Sequence, residues 1–416
     1  MPEAGHHPGG ELRRIAIVGA SLAGVHAAQT LRRREFDGEI VLVGDEPDTP
    51  YDRPPLSKGF LAGSTDEDRL LLRPTADPDA LDLDRRLGRR AIALAHDTTT
   101  GASAVSLDDG AVVEADGLVV ATGARLRTLP ATDGVAGVFG LRTLADARSL
   151  RAALDEGPDR VVVVGFGFIG AEVAATVRER GIDVTIVEAA DQPLARVLDP
   201  DSGAAIAAVH RDHGVDVRLG ATVESFDTAD GRLAGVQLSD GSRIEASVAV
   251  VGIGVIPNTE WLTGTSLTVD NGLVLDESTL AAPGVVGAGD VARWPNQGVG
   301  GALVRIEQWD NAVEMGGVAA DRLLSWAAGV DGEPYAPIPW FWSDQYDRKY
   351  QLAGLSGPEY EVVQGGLDEE RFVVLYRTAQ GAPCGVLCGN RPRQAIVARQ
   401  LLAAGAGLDE FHDRLS

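Results

Sequence analysis

Cysteine is nearly missing from this chain. Only two thiols occur in 416 residues, Cys384 and Cys388, both close to the C-terminal end. If the segment around them is a strand, the two side chains share a face about 13 Å apart. That separation is too large for a disulfide. With no histidine nearby they make a poor zinc site, and both read as small buried apolar residues. Aromatic residues are scarce as well, at 5%, while 51 glycines are present, a composition that suits α/β domains with close helix–sheet contacts. Positive charge is short: 37 Lys and Arg stand against 61 Asp and Glu, for a net charge of −24. That balance argues against nucleic acid and anionic membranes as partners. No apolar run approaches the length of a transmembrane helix. Residues Met1–Gly10 lack the apolar core of a signal peptide. His6 and His7 in that stretch read as a disordered tail rather than metal ligands. The expectation is a cytoplasmic protein with no metal and no membrane contact.

What is present is a pair of glycine-rich turns, each set between an expected strand and an expected helix. The first reads Gly19-Ala-Ser21-Leu22-Ala23-Gly24 after strand Arg14–Val18, with a helix to about Arg34. The second reads Gly165-Phe-Gly167-Phe168-Ile169-Gly170 after strand Arg160–Val164, with a helix to about Arg180. Further strands are expected at Glu39–Val43, Gly117–Val120, Asp183–Val187 and Val248–Val251. From about Pro337 the chain becomes richer in aromatics and reads as alternating strands followed by a helix over Arg391–Ala404. The expected fold class is α/β. It has two Rossmann-like dinucleotide-binding domains, the first split by the insertion of the second, plus a small α+β C-terminal domain. The boundaries are 12–121 and 250–331, 122–249, and 332–416.

Each turn has the chemistry of a pyrophosphate cradle. Glycine lets the backbone approach the phosphates, and the helix N-terminus offers unpaired N–H groups and a positive dipole end. Ser21 replaces the middle glycine of the first turn and is small enough for close approach. An acid stands at the end of the second strand of each unit, Asp45 and Glu188, where a carboxylate hydrogen-bonds a ribose diol. Glu188 would also repel a 2′-phosphate. Arg196, eight residues on, is poorly placed to bind one, so NADH is expected over NADPH. Two cradles imply two dinucleotides, most simply FAD and a nicotinamide, exchanging a hydride. Asp290, in Gly289-Asp290-Val at a strand end, can accept from a ribityl hydroxyl or cap a helix.

Further motifs carry a resemblance. They are Pro50-Tyr-Asp-Arg-Pro-Pro-Leu-Ser-Lys58, Ala121-Thr122-Gly123, Leu141-Arg142-Thr-Leu, Gly254-Val-Ile-Pro-Asn258, Gly289-Asp290, Val304-Arg-Ile-Glu-Gln-Trp-Asp-Asn311 and Trp340-Phe-Trp-Ser-Asp-Gln345. Together they span almost the whole chain. The sequence resembles the FAD-dependent ferredoxin reductases of oxygenase and cytochrome P450 systems, the family of putidaredoxin reductase and of biphenyl dioxygenase reductase components. Apoptosis-inducing factor is a more distant likeness. The resemblance implies that Ala23, Asp45, Lys58, Ala91, Arg142, Asp290 and Val304 contact FAD. The motifs add Arg53, Pro55, Ala121, Thr122, Gly123, Gly289 and Trp342 on the FAD side and Gly254 on the NAD side. It also implies that Lys58 lies near flavin N5 and pairs with Glu172, both in catalytic roles. On residues alone, Lys58 is a solvated helix-end lysine and Glu172 an acid suited to the first turn of a helix.

Disulfide reductases of this architecture carry electrons onward through two thiols beside the flavin. The first 383 residues contain no cysteine. Electrons must therefore leave the flavin directly. A flavin accepts a hydride and can release electrons singly, so the expected acceptor is a one-electron carrier, which the resemblance implies is a [2Fe–2S] ferredoxin. The expected docking residues are Arg73 and Arg305, with Trp340 and Trp342 beside them. Arg348, Lys349, Arg391 and Arg393 are further basic candidates. A monomer or weak homodimer is expected. The competing readings are a rubredoxin reductase, an NADH-sensing interaction flavoprotein like apoptosis-inducing factor, and a peroxide-forming NADH oxidase.

Overall fold

The computed structural model of the protein describes residues 11–73, 77, 80–132 and 134–416. His6 and His7 lie outside the described residues. The chain forms two compact units. One comprises residues up to Asp52, Leu70–Arg125 and Ile256–Pro337, and the other Arg53–Arg69, Leu126–Val255 and Ile338–Ser416. Residues 53–69, inside the segment expected to be the FAD domain, thus belong to the second unit.

The first unit is built on a six-stranded sheet in the spatial order Leu280–Ala282, Val285–Gly287, Gly117–Val120, Arg14–Val18, Glu39–Gly44, Leu83–Leu87. Four of its five pairings are parallel, and only the Leu280–Ala282 edge strand is antiparallel. Strands buried on both faces read as continuous apolar runs. Ile15, Ala16, Ile17 and Val18 are buried accordingly. The helix Leu22–Arg33 packs against the helix Trp309–Ala327. A Cβ on Gly316 would fall 2.3 Å from the Ala23 carbonyl oxygen, so only glycine permits that crossing. A separate antiparallel sheet is formed by Ala91–His96, Ser103–Leu107 and Val112–Ala115.

The second unit repeats the parallel plan. Its five strands run Asp216–Leu219, Asp183–Glu188, Arg160–Val164, Val248–Val251, Val138–Phe139. All four pairings are parallel. The helix Phe168–Glu179 follows the central strand. After residue 338 the unit carries a five-stranded antiparallel sheet in the order Trp340–Gln345, Arg348–Gly354, Pro383–Gly389, Phe372–Arg377, Glu359–Gln364. One face of this sheet packs on the helices Pro392–Ala404 and Leu408–Leu415, and the other on Leu194, Leu198 and Ile206.

The cysteines depart from the expected arrangement. Tyr376 pairs with Gly385 and Arg377 with Pro383, so Cys384 is the extra residue of a bulge. A bulge reverses the side-chain alternation. Cys388 therefore packs under the terminal helices, whereas half-buried Cys384 packs with the apolar cluster on the opposite face. Burial raises both thiols, Cys388 up to about 12. Both are free, and neither is a reactive thiolate.

Candidate dinucleotide cradles and a buried lysine–glutamate pair

In the first unit the glycine turn lies at the carboxyl ends of the parallel strands, the position where such sheets bind ligands. Gly19 has φ +124°, and a Cβ there would lie 1.9 Å from the Ala121 carbonyl oxygen. Gly24 packs as tightly, with a notional Cβ 1.9 Å from the Gly19 carbonyl oxygen. Gly289, at φ +74°, brings its backbone against the Ala23 methyl. So Gly19, Ala23, Gly24, Ala121 and Gly289 converge at the carboxyl ends of three neighbouring strands. Ser21 begins the helix that continues through Leu22, and its hydroxyl makes no capping bond. The first-turn N–H groups thus have no side-chain cap, as an anion cradle requires. These residues fit a dinucleotide pyrophosphate.

The Ala121-Thr122-Gly123 turn is latched to Asn258. Thr122 Oγ1 donates to the Asn258 carbonyl at 2.7 Å, and Asn258 Nδ2 donates to the Thr122 carbonyl at 2.9 Å. Asp45 is exposed just past its strand. Asp290 and Val304 are half-buried, and Ala91 is buried at the start of its strand. Arg305, expected to be a docking cation, is instead tied up. Its guanidinium pairs with Glu307 at 2.6 Å and donates to the Asp290 carbonyl, leaving the side chain 12% exposed. Arg73 is exposed. The remaining FAD candidates Arg53, Pro55, Lys58, Arg142 and Trp342 belong to the second unit.

In the second unit Gly165 has φ +106°, and Gly170 could carry a Cβ only 2.2 Å from the Gly165 carbonyl oxygen. A Cβ on Gly167 would meet nothing, so the space above the helix start is open. Gly167 starts the helix with no side-chain cap. Glu188 is more than a ribose candidate. Its carboxylate accepts from Phe166 N at 2.6 Å and from Ala190 N at 2.9 Å, which pins the glycine turn. Ile169 is exposed, Phe168 packs on Phe341, and Gly254 at φ +101° accepts from Arg127 N. This cradle too fits a dinucleotide.

Lys58 and Glu172 meet as the resemblance implies. Lys58 Nζ lies 2.6 Å from Glu172 Oε2, with Glu172 2% exposed and the Lys58 side chain 21% exposed. Glu172 is the fifth residue of its helix, past the first turn, so the helix dipole does not account for it. Three further groups do. Ser57 Oγ donates to the carboxylate at 2.6 Å and Ser343 Oγ at 2.8 Å, while Thr176 Oγ1 holds the Ser57 carbonyl. A buried carboxylate is tolerated when it is paired and its lone pairs are filled. Ser57, Thr176 and Ser343 were not expected from the sequence. Ser57 adjoins Lys58, but only the strand alternation of Trp340–Gln345 separates Ser343 from the neighbouring tryptophans. Lys58 is one of only two lysines in the chain, the other being Lys349. Nearby, Arg53 donates to the Arg142 carbonyl. A capping box of Thr143 and Asp146 fixes the helix that follows.

Among the docking candidates, Trp340 is half-buried with Arg399 over its ring, Arg348 pairs with Glu370, and Lys349 pairs with Asp344. Among the described residues no His/Cys/Asp/Glu cluster could hold a metal, and no helix is long and apolar enough to cross a membrane.

Known proteins agree with this architecture. Residues 13–316 match the pyridine nucleotide-disulphide oxidoreductase family and residues 340–412 the reductase C-terminal family. Rhodocoxin reductase of Rhodococcus erythropolis is 41% identical, with 94% of this chain and 89% of that protein covered. Putidaredoxin reductase of Pseudomonas putida is 38% identical over 93% and 91% of the two chains. The crystal structure of the covalent putidaredoxin reductase–putidaredoxin complex matches with a TM-score of 0.86 and 35% identity, covering 94% of this chain and 93% of that one. The chain is a member of the pyridine nucleotide-disulphide oxidoreductase family that carries a reductase C-terminal domain.

Proposed function

We propose that this protein is an NADH:ferredoxin oxidoreductase that uses FAD. The observation that carries the reading is the pairing of two dinucleotide cradles with a chain that has no cysteine before residue 384. The absence of thiols before residue 384 disfavours a dithiol route out of the flavin and favours one-electron delivery to a carrier protein. Bound FAD supplies the chemistry by taking a hydride and releasing single electrons. The relatives named as ferredoxin reductases of oxygenase and cytochrome systems support the same acceptor class. The proposed carrier is a [2Fe–2S] ferredoxin that serves a cytochrome P450 or Rieske oxygenase. The proposed setting is cytoplasmic, with the protein a monomer or weak homodimer. The three-domain division with a split FAD domain remains our reading of the chain.

The residues take these roles. Gly19 to Gly24, Asp45 and Asp290 hold FAD, joined by Arg53, Pro55, Ala91, the 121–123 turn, Arg142, Gly289, Val304 and Trp342. Gly165 to Gly170 and Gly254 hold NADH, and Glu188 binds the adenosine ribose while keeping the turn in place. With both bound, NADH would supply the hydride and FAD would accept it. No side chain has to accept or donate a proton in that step. The Lys58 ammonium would stabilise negative charge on a bound flavin, and Glu172 fixes the ammonium. Arg73, Trp340 and Trp342 contribute to ferredoxin docking. A local cation is effective despite the net charge of −24, because charges beyond about 8 Å are screened at physiological salt.

The decisive experiment is NADH-driven reduction of cytochrome c by the purified yellow protein, with and without each ferredoxin of the source organism. The proposal expects a strong dependence on one ferredoxin. Rapid oxygen consumption with no carrier would replace it by an oxidase reading.

A further inference from the structure

Glu172 stands at the end of a longer chain of hydrogen bonds. Its Oε1 accepts from Ser343 Oγ at 2.8 Å, and Ser343 Oγ accepts from Gln345 Nε2 at 3.0 Å. Gln345 Oε1 lies 2.9 Å from His210 Nε2, and the Tyr346 hydroxyl lies 3.2 Å from His210 Nδ1. Ser343, Gln345 and His210 are at most 1% exposed.

Donor chemistry fixes the direction of each bond. An ionised carboxylate only accepts, so the Ser343 O–H points at Glu172. The Gln345 amide spends its NH2 on Ser343 and its oxygen on His210. His210 must therefore carry its proton on Nε2, which leaves Nδ1 to accept from the Tyr346 hydroxyl. Every donor points the same way, from Tyr346 toward Glu172. In a dry interior, aligned bonds of this kind polarise one another. The amide in the middle makes the chain a poor proton relay, so its use is to orient and to stabilise charge.

The fold assembles the chain from three places. Alternation along the strand Trp340–Gln345 puts Phe341, Ser343 and Gln345 on one face. On that face Phe341 meets Phe168, and Ser343 reaches Glu172. His210 arrives on the helix Pro200–Asp212. Its ring receives Phe166 edge-on at 5.3 Å, and Phe166 is the residue of the glycine turn whose N–H Glu188 holds.

We infer that Ser343, Gln345 and His210 are positioning residues, an aligned chain that sets the orientation and charge of the Glu172 carboxylate toward Lys58. The antiparallel sheet of the C-terminal segment thereby acts on hydride transfer through Ser343, besides any part in docking. This rests on the role proposed above for the Lys58–Glu172 pair.

The test has a kinetic arm and a spectroscopic arm on the FAD-loaded enzyme. Stopped-flow flavin reduction at saturating NADH should slow about threefold to tenfold in Ser343→Ala and in Gln345→Leu, the range expected for one lost hydrogen bond of ordinary strength. FAD content and the Kd for NADH should stay unchanged. Ser343→Thr keeps the hydroxyl and should recover the rate. In a Lys58→Met background, Ser343→Ala should add no further slowing, because contacting groups in one network couple. Imidazole 15N NMR should show His210 as the Nε2–H tautomer in the wild type and as a mixture in Gln345→Leu. Unchanged rates in Ser343→Ala and Gln345→Leu, beside a slow Lys58→Met, overturn the inference, as does full additivity in the double variant. So does an Nδ1–H tautomer in the wild type. If Lys58→Met itself reduces at the wild-type rate, the proposed role of the ion pair fails, and the tautomer measurement still decides the chain.

Discussion

The two glycine turns share a backbone and differ in what surrounds it. Gly19 and Gly165 both take positive φ, and Gly24 and Gly170 both press on the carbonyl of the first glycine of their turn. The acids at their second strands behave differently. Asp45 stands exposed, whereas Glu188 is bonded to the backbone of its own turn. The helices differ as well. Two residues past the last glycine, the first helix carries half-buried His26, held neutral by burial and by Arg33, and the second carries Glu172 beside Lys58. Steric rules make the turns alike, since any pyrophosphate needs the same close approach. In the proposed function the first turn retains FAD while the second admits and releases NADH, and the diverging side chains are consistent with that division.

The largest expected effect breaks the comparison at its shared backbone. Gly19→Ala places a Cβ within 1.9 Å of a carbonyl oxygen at φ +124° and should abolish FAD retention, leaving colourless protein. Gly165→Ala, at φ +106°, should keep the yellow colour and lose NADH binding, read by titration of the flavin spectrum. If both variants lose FAD alike, the turns have not been assigned correctly.

Lys58→Met sharpens the difference between the helices. Flavin reduction by NADH should slow by about 2.7–4 kcal/mol in the barrier, roughly a hundredfold to a thousandfold, with FAD still bound. Glu172→Ala should slow the same step less. Stopped-flow traces matching the wild type would reduce the lysine to a structural role.

The buried histidine behind the second turn gives that side an acid sensitivity. Burial lowers the His210 imidazole from 6.5 to about 4. A base depressed in the folded state is protonated first in the unfolded chain. Its contribution is therefore complete above pH 6.5 and is lost as pH falls toward 4, on the order of 3 kcal/mol. Denaturant unfolding of His210→Asn at pH 7 and pH 4.5 should show a smaller drop than the wild type. Equal drops would show that His210 does not contribute.

The acids are next. Glu188→Ala removes a charge from the expected 2′ position and a latch from the turn. It should narrow the ratio of kcat/KM for NADH over NADPH by about 1.5–3 kcal/mol, the worth of a hydrogen bond to a charged group. Adding Ala189→Arg should narrow it further. A wild-type enzyme equally fast with both nucleotides would contradict the assignment.

The smallest effect falls on the thiols. Changing both Cys384 and Cys388 to Ser should leave electron transfer to ferredoxin intact, with a stability cost of about 1–3 kcal/mol from burying hydroxyls. Loss of transfer in folded, FAD-replete protein would reinstate a thiol route.

The sequence by itself determined much of this. Gly19, Gly24, Gly165 and Gly170 were legible because a turn that no side chain can enter leaves glycine as the only option. The strands Arg14–Val18, Gly117–Val120, Arg160–Val164 and Val248–Val251 were legible because both faces are buried, giving unbroken apolar runs. The missing thiols excluded a dithiol route without reference to any fold. The tertiary structure alone decided the rest. It placed Ser57, Ser343, Gln345 and His210 around Glu172, from segments more than a hundred residues apart in most pairs. It paired Arg305 with Glu307, and it turned Cys384 away from Cys388 through a bulge. Hydrogen bonds between distant segments leave no periodicity in the chain. A bulge shifts alternation by one residue without changing composition. A positive φ is a local demand that glycine answers in the sequence itself, whereas the partners of a buried charge are chosen by packing.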